Sequence, residues 1–212
     1  MCYNKTVSLL AYASGLLFTS LLFVYGDKYD KHFSIFAFVY IQMQLVEFFM
    51  WYDEKCGNIN NYASRFALLI LILQPIAVLY GAILFKTTII PNYIIYSILI
   101  TYLIIITFNL LLIENKERKL CSKKPNNSDH LKWDIFNLDD NLVIYYLYFI
   151  ALFIFIFFKD FYKGLFIVIF GSVLREISRY QYDNYDKEWY TIWCFKGSFI
   201  PIVLLLSNYL LK

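Results

Sequence analysis

HFSIFAFVYIQMQLVEFFMW, residues 32–51, decides how this chain folds. Only His32, at one end, and Glu47 are basic or acidic, and neither Gly nor Pro interrupts the run. About 20 such residues make a membrane-spanning helix, because about 30 Å of hydrocarbon is crossed at about 1.5 Å per residue. Within the run Tyr40, Gln44, Glu47 and Trp51 recur at spacings of four, three and four, which puts them on one helical face. A face with an acid and an amide on it must meet protein and not lipid.

Six more apolar stretches flank this one: Val7 to Tyr25, Ser64 to Phe85, Pro91 to Ile113, Leu142 to Phe158, Asp160 to about Tyr180, and Trp189 to Leu211. With 60% hydrophobic, 21% aromatic and 17% charged residues, the composition suits a bilayer. The expected fold is all-α, a polytopic transmembrane bundle of seven helices in one integral membrane domain, 1–212. The count falls to six if Asp160–Tyr180 does not span, since that segment carries Arg175, Glu176 and Arg179 and crosses only by burying them. The first run is longer than a signal h-region and reads as a retained anchor.

On the side of the N-terminus the short connections carry 12 Lys and Arg, against 6 on the other side. The positive-inside rule then predicts a cytosolic N-terminus. Cys2, Cys56, Cys121 and Cys194 fall at that same end, where thiols are expected to stay free, and the sequons at Asn4 and Asn126 would be silent there. The one long connection, Glu114 to Asn141, is a basic loop. Its Lys116–Lys124 cluster could attract anionic lipid head groups at about 1 kcal/mol per residue, although fixing topology explains it as well. Leu131, Ile135 and Leu138 follow the spacing of a short interfacial helix. Tyr180, Tyr182, Tyr185, Trp189 and Tyr190 form an aromatic belt.

Gln44 and Glu47 come out roughly 18 and 22 Å in from the outer edge by helical rise, and Arg175, Glu176 and Lys196 at similar depth. Each central charge costs about 2.5–3.5 kcal/mol on an isolated helix. The two acids and two bases balance, so one polar cluster is predicted, with Glu47 paired to Arg175 or Lys196 and Gln74, ahead of Pro75, beside it. Such a network serves either a ligand, ion or proton pathway or simply helix register. Small residues at Ala11 and Gly15, and at Gly171-Ser172, allow close helix packing.

Other chemistries lack their residues. His32 and His130 lie at opposite ends, so no zinc pair or Ser-His nucleophile forms and no metal or cofactor is expected. No phosphate-binding glycine loop occurs, and the basic residues are spread through membrane loops, so no nucleic-acid partner is expected. Cys194 reads as packing. Lys196 in the last helix invites comparison with retinal proteins, but helix three offers no carboxylate counterion.

The stretch Gln44-Leu45-Val46-Glu47-Phe48-Phe49-Met50-Trp51, followed by Cys56, Asn60 or Asn61, and Gln74-Pro75, with Trp193-Cys194-Phe195 and Pro201 later, resembles multi-pass membrane proteins of large DNA viruses and some algae or protists that have no assigned reaction. The resemblance implies that Gln44, Glu47, Trp51, Gln74 and Trp193 share one constellation, and a host-cell or virion membrane. The functional expectation is binding or movement of a small solute, ion or lipid through the cluster of Gln44, Glu47, Trp51, Gln74, Arg175, Glu176, Trp193 and Lys196, centred on Glu47. The alternatives are a structural or membrane-organising protein, oligomeric through its helix contacts, and a lipid enzyme working without histidine through Glu47 or Cys194.

Overall fold

The computed structural model describes residues 4–114, 119–124, 131–133, 148, 150–182 and 194–210. Regular structure among them is helical: α1 Lys5–Tyr25, α2 Lys28–Tyr52, α3 Asn58–Phe85, α4 Asn92–Glu114, a 3-10 segment Phe153–Phe157, α5 Phe161–Tyr182 and α6 Ile200–Leu210. α1, α2 and α3 are long and apolar enough to cross a membrane. Two shorter apolar helical stretches, Asn92–Thr107 and Cys194–Asn208, add to them.

Helix ends follow local chemistry. The Asn4 side chain accepts the Val7 N–H at 3.0 Å and starts α1. Asp27 and Asp30 form a capping box that starts α2 only two residues after α1 ends, so the two helices must run antiparallel. Lys86, in the left-handed region at φ 50°, ends α3.

α2 is the central element, with its largest contacts to α1 and α3. Ser8, Ala11, Gly15, Thr19 and Leu22 form the buried stripe of α1. A Cβ at Gly15 would stand 3.1 Å from the Ile41 side chain and 3.2 Å from the Ser198 carbonyl oxygen. The small-residue spacing of Ala11 and Gly15 thus lets α1 approach its own neighbours, α2 and the segment before α6.

Two fasteners hold opposite ends. At the α1–α2 turn, the Lys163 ammonium from α5 lies 2.7 Å from Asp30 Oδ1 and 3.0 Å from Asp27 Oδ2, while Asn208 Nδ2 from α6 donates to Asp30 Oδ2 at 2.7 Å. Asp30 is 1% exposed. Burial pushes the Asp27 carboxyl up, but the Asp30 N–H and the Lys163 charge outweigh it and hold the group below its ordinary value. At the other end Cys56 and Cys121 are joined in a disulfide, Cα–Cα 5.3 Å. This corrects the expectation of free thiols for that pair. Asn60 reinforces the junction by donating to the Ser122 carbonyl at 2.7 Å and accepting the Ser122 N–H at 2.9 Å, and the Leu120 N–H donates to Asn61 Oδ1 at 3.0 Å.

Three expectations meet a different geometry. The apolar run ending at Phe158 tightens into a 3-10 turn and bridges Thr88, with the Ile89 N–H donating to the Phe157 carbonyl at 2.9 Å. The seventh segment is interrupted at Ser198-Phe199, where Pro201 supplies no N–H for the Gly197 carbonyl. Leu131 is not on an interfacial helix: it precedes an isolated bridge, Lys123 to Lys132, and is fully buried against Met43, Trp51 and Ala67. Ile135, Leu138, Tyr185, Trp189 and Lys116 lie outside the described residues.

Candidate functional site

The α2 face legible in the sequence is buried along its whole length. Gln44 and Glu47 are both 0% exposed, flanked by Tyr40 and Trp51, which are nearly so. α3 faces it with Asn60, Ser64 and Gln74, all buried. Helical periods of 3.6 explain both rows, because the α2 positions recur every three or four residues, and Gln74 follows Asn60 by fourteen, close to four whole turns.

Three tyrosines tie this core together. The Tyr148 hydroxyl donates to Gln74 Oε1 at 2.6 Å. Tyr102 of α4 donates to the Ile72 carbonyl at 3.0 Å, next to the carbonyl of Leu71 that Pro75 leaves without its helical donor. Tyr40 and Cys194 belong to one buried cluster, and Glu47 lies within electrostatic reach of both. Gly197 makes this possible, since any Cβ there would run into the Tyr40 ring and hydroxyl. Gln74 Nε2 and Trp51 Nε1 have no hydrogen-bond partner among the described residues.

The remaining expected site residues are Arg175, Glu176, Lys196 and Trp193. On α5, Arg175 Nη1 is 3.5 Å from Glu176 and Arg179 Nη1 is 3.8 Å from the same carboxylate. Glu176 is 56% exposed at its side chain, so this triad forms a ladder along α5 and is not sealed in the core. Lys196 is half-buried beside Gly197. Trp193 lies outside the described residues. No group of three metal-binding side chains forms among the described residues.

No protein-family model, curated protein or solved structure matches the chain.

Against the polar core lies a cavity of about 120 Å³ between α2, the 3-10 segment, α5 and the residues before α6. Phe33, Phe36, Tyr40 and Phe155 line it, with Gly171 and Arg175 of α5. Sequence reading named Tyr40 for its place on the α2 face and Cys194 as packing, which its burial in the hydrophobic core bears out, but it missed Tyr102 and Tyr148. Their signal was faint: a tyrosine in an apolar run looks like any aromatic until a partner for its hydroxyl is known.

Proposed function

We propose that this chain is a multi-pass integral membrane protein that binds a small apolar or amphipathic ligand, with the buried core around Glu47 as the fixed floor of the site. One observation carries the reading: Tyr40, buried on the α2 face that bears Glu47, also lines the cavity between α2 and α5. A mostly apolar recess with a few convergent polar groups is the usual form of a small-molecule site. Glu47 and Gln44 are fully buried, which suits a fixed floor beneath such a recess.

Glu47→Gln keeps shape and removes charge. It is expected to leave folded yield within twofold while weakening binding of a fluorescent hydrophobic probe about tenfold, measured by titration in detergent. Loss of folded protein instead would support the second reading, a structural or membrane-organising role, which the fastening of both ends of the bundle favours.

The orientation proposed here reverses the one that the charge count suggests. Cys56 and Cys121 stay bridged only where thiols oxidise. Lys and Arg counts bias insertion without forbidding the alternative. The end bearing the disulfide, with the N-terminus, is accordingly assigned to the lumen or exterior. In a eukaryotic membrane the sequon at Asn126 then becomes an acceptor, expected to give a glycosidase-sensitive gel shift that Asn126→Gln abolishes; an unglycosylated product would return the assignment to the cytosolic side.

A further inference from the structure

Five of the side chains around the cavity on Tyr40 are aromatic: Phe33, Phe36, Tyr40, Phe153 and Phe155. Four of them are nearly sealed from solvent, Phe33 and Phe155 at 2% exposure, Tyr40 at 5% and Phe36 at 7%. They hold one another in place. Phe36 stands among the other three, its ring centroid 5.8 Å from Phe33, 5.5 Å from Tyr40 and 5.9 Å from Phe155, and Phe33 reaches Phe155 at 5.9 Å. Their planes are inclined by 36° to 70°, so none of these pairs lies face to face.

Inclined rings at about 4.5–7 Å bring the positive edge of one against the negative face of the next. A further ring placed beside such a wall continues the pattern, whereas a saturated molecule of the same carbon count gains burial alone. Close packing would fill the space next to these rings if they served the core only. About 120 Å³ is left there. A Cβ built at Gly171, on the α5 side of the cavity, meets nothing within 4 Å. An apolar cavity of about 150 Å³ binds benzene, so this one has room for a single six-membered ring. Arg175 is the charged side chain in the lining, and its guanidinium already stands 3.5 Å from Glu176, so the recess calls for no charged head group.

We infer that the ligand is a neutral, planar aromatic molecule, its ring set against Phe33 and Phe36 and its far side in the room beside Gly171. This inference rests on the proposed ligand site and adds the chemical class of the ligand.

The experiment is equilibrium binding of radiolabelled benzene and, separately, of cyclohexane to the purified full chain in detergent, corrected for uptake by protein-free micelles, with thermal unfolding recorded in parallel. Benzene is expected to bind saturably and about tenfold tighter than cyclohexane, the gain that two inclined ring contacts supply. Phe36→Leu should bring the two probes to within about twofold of each other, and Phe33→Leu takes its place if the first variant does not fold. Gly171→Leu should abolish binding of both without lowering the unfolding temperature, because its side chain grows into open space. Equal affinity of the two probes for the wild-type chain, or a preference for benzene that survives loss of the ring, overturns the aromatic assignment and leaves the cavity reading standing. Binding of both probes undiminished in Gly171→Leu, or binding of neither to the wild type, overturns the ligand site itself.

Discussion

Replacing Lys163 with Met is expected to destabilise the folded chain by about 3–5 kcal/mol, the cost of leaving a buried carboxylate without its counter-charge. Asp30 is nearly inaccessible, and Lys163 at 2.7 Å supplies its positive partner, with Asn208 and the Asp27 N–H as neutral donors. The methylene stem of Met keeps the packing while the ammonium goes. Adding Asp30→Asn to Lys163→Met should restore most of the loss, since the amide needs no cation; thermal unfolding in one detergent compares all three proteins. Asp27 adds an acid limb to this behaviour. Its folded pKa lies below the ordinary 3.8, so its contribution is full above that value and disappears as pH falls through the folded one. A double variant no more stable than Lys163→Met alone would show that geometry and not charge governs this end.

Cys56→Ser is expected to cost about 2–4 kcal/mol. The bridge closes a loop with a sequence separation of 65, for which chain-entropy arguments give about 4 kcal/mol, and a bilayer that already confines the unfolded helices lowers the figure. Treatment of the wild type with reductant should reproduce the loss, and the variant should no longer respond to it. A melting temperature indifferent to reductant in both proteins would mean that Asn60 and Asn61 hold the junction unaided.

How much of this was legible beforehand differs between residues for physical reasons. Helix period and length alone revealed α1, α2, α3 and most of α4, because burial in lipid imposes a long uninterrupted apolar run and Pro91 marks where one begins. The buried polar face of α2 was visible through the spacing of Tyr40, Gln44, Glu47 and Trp51. Arg175 and Glu176 were placed by depth, a coordinate that says how far along a helix a charge lies and nothing of the direction in which it points. Their shared ladder with Arg179 depends on that direction. The clamp at Asp27, Asp30 and Lys163 escaped notice because charges near helix ends look like ordinary loop residues, and only the meeting of α5 and α6 with the α1–α2 turn shows Asp30 sealed and Lys163 mostly covered. Leu131 was misread for a similar reason. Its i, i+4, i+7 companions fit a surface helix, while a bridge from Lys123 to Lys132 pulls it inward.

The two fasteners stand about 37 Å apart, the length of a 25-residue α2 at about 1.5 Å per residue. Sites so distant, sharing no partner, perturb stability independently. Each pole of the molecule consequently answers to its own solution variable, proton activity and ionic strength at one, redox potential at the other. Either is expected to loosen without the other, which gives the molecule two separately addressable ends.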